Sequence, residues 1–212
     1  MVTQRPNVLL ADDHVMVLDA FQRLLEPYCN IVGKVTDGRA LLELAPRLKP
    51  DVVVVDIGMP VLNGLEAARQ LKAAMPQVKL IVLTMNEDPD VANEAISAGA
   101  SAYLLKTSAA SELLLAIESV LRGKSYFTPQ IARGIEEALI RDPWRKKRKK
   151  ELTPRQREVL QLLAEGRTMK EVADILHMTP RTVAFHKYRI MDLLGLKSTA
   201  ELVQFAIKHH MV

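Results

Sequence analysis

Apolar residues in the first half of the chain come in short blocks, not singly. Val8-Leu9-Leu10-Ala11, Val52-Val53-Val54-Val55, Leu80-Ile81-Val82-Leu83 and Ala102-Tyr103-Leu104-Leu105 each run unbroken and then stop at a polar residue. Short continuous runs rich in β-branched side chains predict strands buried on both faces, the habit of a parallel sheet. Ile31-Val32-Gly33-Lys34-Val35 predicts one more strand. Between these runs, residues 15–25, 40–48, 65–74, 91–98 and 111–121 carry apolar positions at helical spacing. The alternation predicts an α/β domain, a (βα)5 doubly wound parallel sheet with right-handed crossovers.

From Gly123 the rhythm changes. Residues 129–140 are weakly amphipathic, and Arg145-Lys146-Lys147-Arg148-Lys149-Lys150 follows shortly after. Six consecutive cations repel one another and bring no apolar surface to bury, so 124–150 reads as a linker. The end of the chain is rich in helix-start signals. Thr153-Pro154-Arg155-Gln156, Thr168-Met169-Lys170-Glu171 and Ser198-Thr199-Ala200-Glu201 have the spacing of capping boxes, and Thr179-Pro180 places a cap before a first-turn proline. Gly166 and Gly195 stand where helices should stop. The prediction is a small all-α domain over 151–212, with helices near 154–165, 169–177, 180–194 and 199–208, behind an α/β domain over 1–123.

Charge sharpens that division. Residues 1–123 carry 11 Lys and Arg against 15 Asp and Glu, whereas 124–212 carry 18 against 10. The net charge of +4 therefore hides a balance of −4 in the first part and +8 in the second. A basic second domain is suited to nucleic acid. The single cysteine, Cys29, excludes an internal disulfide and a multi-cysteine zinc site. No apolar run approaches the roughly 18–20 residues of a membrane span, and the start lacks a signal-peptide core, which points to a cytoplasmic protein without a membrane partner.

The residues that end the four runs are Asp12-Asp13, Asp56, Thr84 and Lys106. Ligands of open α/β sheets bind at the carboxyl ends of the strands, where all of these fall. Three carboxylates repel one another unless a cation joins them. A hard divalent ion with oxygen ligands, Mg²⁺, suits this set best. Neutralised in that way, one Asp can attack phosphorus, while a hydroxyl and an ammonium take the phosphoryl oxygens. Gly58-Met59-Pro60 and Asn63-Gly64 shape an open loop after Asp56.

Residues 1–122 resemble the receiver domain of two-component response regulators, in the acidic pair, Asp56, Thr84, Lys106, Met59-Pro60 and Asn63-Gly64. The resemblance implies that Asp56 is the phosphoacceptor for a sensor histidine kinase and that Asp13 and Asp56 bind Mg²⁺, with Asp12 acting through water. It implies too that the Gly58 carbonyl completes the metal shell, and that Thr84 and Tyr103 move as a switch pair. Met85 departs from the pattern, since the residue after the switch hydroxyl is usually small. A phosphohydrolase that uses an Asp nucleophile needs a second Asp two residues on; Gly58 stands there, so at most slow self-dephosphorylation is expected, not enzyme turnover. A phospho-independent dimerisation or docking module, with the switch impaired at Met85, is the alternative, and an aspartyl-phosphate phosphohydrolase ranks third.

The second domain is similar to the LuxR-type helix-turn-helix, through Leu152-Thr153-Pro154-Arg155-Gln156-Arg157-Glu158-Val159-Leu160, Lys170-Glu171-Val172-Ala173, Thr182-Val183, His186 and Leu193-Leu194-Gly195. With the receiver in front, the chain resembles the NarL/FixJ group of response regulators. Val183, Ile190, Leu193 and Leu194 share an apolar stripe on the second helix of the motif, the helix that enters the major groove. Arg181, Ala184, Phe185 and Tyr188 lie on another face. The resemblance assigns base contacts to Ala184, Phe185 and Tyr188, the first of which is often Lys; without that cation, base reading leans on thymine methyl contacts and a hydroxyl. Lys170, Arg181, Thr182 and Lys187 are suited to phosphate contacts. The partners implied are double-stranded DNA, a sensor kinase, RNA polymerase and a second copy of the chain on activation.

Overall fold

The computed structural model describes residues 5–141, 152–209, 211 and 212, with the side chains of the helix ending at residue 141 described through Glu136. The basic run Arg145–Lys150 lies outside the described residues. Two compact units emerge, the first reaching into the segment read from the sequence as a linker.

In the first unit, β1 (Asn7–Ala11), β2 (Asn30–Val35), β3 (Val52–Asp56), β4 (Lys79–Thr84) and β5 (Ala102–Leu105) alternate with α1 (Val15–Leu25), α2 (Gly38–Leu48), α3 (Gly64–Ala74), α4 (Pro89–Ser97) and α5 (Ala109–Leu121). All strand pairs are parallel, in the order β2-β1-β3-β4-β5, and one further strand follows. β3 is buried at every position, which is why its sequence shows no polar alternation. One sheet face packs Val8, Leu10, Val52, Val54, Ile81, Leu83 and Leu104 against Leu18, Leu25, Leu113, Ile117 and Val120 of α1 and α5. On the other face α2 comes so close that a Cβ at Gly33 would stand 2.9 Å from Leu48 Cδ1 and 3.3 Å from Leu44 Cδ2.

Strand order reverses direction at β1, so the crossovers on either side leave a crevice at the carboxyl ends of β1 and β3. Ala11 pairs with Val55, and the residues that leave the sheet next are Asp12 and Asp56.

The linker assignment requires correction over 124–141. Tyr126–Phe127 forms β6, parallel to β5 on its outer edge, and Pro129–Arg141 forms α6, packed on α4. Two residues of strand are too short to show a period, and an amphipathic stretch reveals that it has a buried face without revealing where.

The second unit contains α7 (Pro154–Ala164), α8 (Met169–Leu176), α9 (Pro180–Leu194) and α10 (Thr199–Lys208) around a core of Val159, Leu160, Leu162, Val172, Leu176, Val183, Ile190, Leu202 and Ala206. Thr153 and Thr168 make reciprocal capping boxes with Gln156 and Glu171. The third box forms only by half: Ser198 accepts the amide of Glu201, but the Glu201 carboxylate takes the Lys197 amide at 2.7 Å. Gly195 ends α9 at φ 71°, and His177 ends α8 at φ 52°, a left-handed position the sequence did not flag.

Candidate phosphoacceptor site and DNA-binding helix

The strand ends bring the expected polar residues together at one edge of the sheet. Asp12, Asp56 and Thr84 are buried, and Asp13 is half-buried. Lys106 Nζ lies 2.7 Å from Asp12 Oδ2 and 3.0 Å from Asp56 Oδ2, joining β1, β3 and β5 through one ammonium. Burial raises the Asp56 carboxyl above the usual carboxylate range; Lys106 opposes this and the Asp12 charge adds to it. Burial works against the Lys106 charge as well, yet the two carboxylates outweigh it and hold the ammonium more firmly protonated than usual.

His14 is a neighbour that the sequence reading missed. Its Nδ1 lies 2.7 Å from Asp13 Oδ1 and 3.2 Å from Asp12 Oδ1, and its amide donates to Asp12 Oδ1 at 2.9 Å. Its place directly after the acidic pair was the available signal. Asp12, Asp13, His14 and Asp56 each offer one ligand atom, and these atoms lie within 4.8 Å of one another. Asp12 Oδ2 and Asp13 Oδ1 are shut off from water, and their partners are Lys106 Nζ and His14 Nδ1, each at 2.7 Å. The oxygen-rich set thus fits a hard divalent ion.

Backbone geometry after Asp56 depends on a glycine. A Cβ at Gly64 would stand 1.9 Å from the Asp56 carbonyl oxygen, so only glycine lets α3 start this close to the strand end. Asn63 caps α3 by accepting the Glu66 amide at 2.9 Å. Thr84 Oγ1 accepts the Asn86 amide at 3.1 Å, and the Tyr103 hydroxyl donates to the Asn86 carbonyl at 2.9 Å. The two residues paired by sequence thus meet through Asn86. Met85 beside them is 65% exposed.

In the second unit α9 separates two faces as its spacing predicted. Val183 and Ile190 are fully buried, with Leu193 and Leu194 packed against that core. Arg181, Phe185 and Tyr188 are exposed, and Ala184 is half-buried. Phe185 at 61% and Tyr188 at 63% are large apolar rings in water, and Phe185 meets the His186 ring edge-on at 5.8 Å. Arg189, which the sequence reading passed over, is exposed next to Tyr188. Lys170 is exposed as well. Thr182 Oγ1 lies 2.9 Å from Thr179 Oγ1, and Lys187 Nζ donates to Thr199 Oγ1 at 2.7 Å, so these two have partners within the domain.

An acidic cluster at the ends of a parallel sheet, followed in the same chain by a helix-turn-helix, defines a phosphorylation-controlled, DNA-binding regulator. Comparison with known proteins specifies which kind. The response regulator receiver domain matches residues 8–118, and the luxR family of bacterial regulatory proteins matches 150–206. The transcriptional regulatory protein MctR of Rhizobium johnstonii is 34% identical, over 100% of this chain and 98% of its own. LiaR of Bacillus subtilis is 35% identical over 97% and 99%. Among solved structures, RcsB of Salmonella enterica serovar Typhimurium, bound to a promoter in the presence of the phosphomimetic BeF3⁻, is 29% identical with a TM-score of 0.61, over 95% of this chain and 98% of its own. The chain belongs to the response regulators of the NarL/FixJ group, which join a receiver domain to a LuxR-type DNA-binding domain.

Proposed function

We propose that Asp56 accepts a phosphoryl group from a phosphohistidine of a sensor kinase, and that the product licenses sequence-directed binding of duplex DNA by α9. The observation that carries this reading is the convergence of Asp12, Asp13, Asp56 and Lys106, with one ammonium bridging two buried carboxylates. An Asp56 oxygen attacks phosphorus, the P–N bond breaks as the P–O bond forms, and the departing imidazole keeps a proton. Lys106 follows the charge from carboxylate to phosphoryl oxygen, and Thr84 offers its hydroxyl once the Asn86 amide releases it. Asp12, Asp13 and Asp56, with the Gly58 carbonyl, would hold Mg²⁺, which supplies charge neutralisation at the phosphoryl oxygens. Tyr103 follows Thr84 through the shared Asn86.

On the DNA side, Ala184, Phe185 and Tyr188 face the bases, while Lys170, Arg181, Thr182 and Lys187 hold phosphates. The exposed aromatic pair supports this, because rings of that size standing in water mark an interaction surface. Two copies on a two-fold DNA site, contact with RNA polymerase and a cytoplasmic location complete the proposal. Among the described residues no helix is long and apolar enough to cross a membrane.

Labelling the full chain with a small-molecule phosphodonor and Mg²⁺ tests the acceptor. The wild type is expected to gain one hydroxylamine-sensitive acyl phosphate and Asp56→Asn none; equal labelling of both would remove Asp56 from the site.

A further inference from the structure

The receiver's sheet continues past β5 into an arm, and that arm is tied to both parts of the molecule that surround the switch. Where β6 turns into α6, the buried Thr128 donates from Oγ1 to Glu112 Oε2 at 3.0 Å. The same Oγ1 accepts the amide of Leu105 at 3.3 Å, one residue before Lys106. The Thr128 amide donates to the Tyr103 carbonyl at 3.1 Å. Further along, Gln130 Nε2 donates to Glu87 Oε2 at 2.7 Å. Gly134 approaches Pro89 so closely that a Cβ there would stand 2.8 Å from Pro89 Cγ. Glu87 and Pro89 belong to the segment that follows Thr84, and Ile131 between the two ties is buried.

Beneath the arm the Tyr103 ring has no solvent exposure. β6 lies along its strand, with Phe127 beside Tyr103. Its hydroxyl is satisfied by the Asn86 carbonyl, and the Asn86 amide by Thr84 Oγ1. When Thr84 turns to a phosphoryl oxygen, the Asn86 amide loses its acceptor. Asn86 is half-buried, so its freed amide takes a water or another acceptor, and the 84–89 segment is released to shift. That segment carries the arm's contacts at Glu87 and Pro89 with it. A strand added only to cover a sheet edge would need neither of those ties.

We propose that β6 and α6 form a clasp over the switch, closed while Asp56 is unmodified and opened when Thr84 engages a phosphoryl group. The inference rests on Asp56 being the phosphoacceptor. Thr128 and Glu112 are then positioning residues for the end of β5, and the clasp passes the state of Asp56 to the chain beyond Arg141.

Hydrogen–deuterium exchange on the full chain, with Mg²⁺ and with or without beryllofluoride, tests this. Beryllofluoride is expected to speed exchange of amides in 126–136 by about tenfold, together with those in 84–90. Thr128→Val and the surface variant Gln130→Ala should show the faster arm without beryllofluoride, and their duplex binding should respond to it less than the wild type's does. A response in 84–90 with the arm unchanged leaves the phosphoacceptor intact and overturns the clasp. No response in either segment removes the trigger and the clasp together. Variants whose arm stays slow and whose binding responds like the wild type's also overturn it.

Discussion

Asp56 bears opposing demands. The carboxylate must be reactive, yet its burial makes ionisation costly, and the ion that would offset this is a ligand and not part of the chain. Its pKa is raised on folding, so the folded state binds the proton more readily than the unfolded chain. Its contribution to stability is therefore present below the ordinary carboxylate range and is lost as pH rises through the elevated value. In metal-free protein at neutral pH, Asp56→Asn is expected to raise Tm by a few degrees in calorimetry, and the gain should vanish on acidification. A second residue-scale prediction concerns Phe185. Neither its side chain nor that of Ala184 beside it offers a hydrogen-bond donor to a base edge, and the apolar group of the major groove is the thymine methyl. Replacing thymine by deoxyuridine in a duplex selected by the full chain should weaken binding about fivefold, the worth of one buried methyl of about 1 kcal/mol. Phe185→Ala should bind both duplexes equally; a retained preference for thymine would exclude Phe185 as its reader.

At the scale of the element, α8 is eight residues long and too short to persist by itself, so its start signal matters. Thr168 and Glu171 satisfy each other's amides, and the bond from the Thr168 amide holds the Glu171 carboxyl below its usual range. Thr168→Ala should lower the stability of the DNA-binding domain by about 1 kcal/mol in urea. Because the Glu171 pKa is lowered on folding, its own contribution is present above the ordinary glutamate value and fades as pH falls through the depressed one. The capping boxes at Thr153 and Thr168 were legible because capping is a local event within four residues. The Ser198 box was legible only by half, since a competing amide at Lys197 lies only one residue further from Glu201 than the expected one and loop geometry decided between them.

Across the whole molecule, charge is divided between the two parts. The cationic second part should make duplex binding by the full chain electrostatic at its base, with log K falling linearly as log salt rises. Arg181→Ala is expected to reduce that slope by about one and to weaken all duplexes alike, as phosphate contacts do. An unchanged slope in filter binding or anisotropy would place Arg181 away from the phosphates.

The sequence by itself determined the five strand–helix alternations, the polar residues at four strand ends and the two faces of α9. Each of these is written in an unbroken apolar run, in a period of 3.6 residues, or at the boundary of a buried run. The tertiary structure alone decided what Lys106 bridges, that His14 joins the acidic group, that Thr84 and Tyr103 meet through Asn86, and that residues 126–141 return to the receiver. Those facts are contacts between residues far apart in the chain or carried by single hydrogen bonds, and they leave no periodic mark. β6 is the clearest case, because a strand of two residues exists only through the edge of the sheet that receives it.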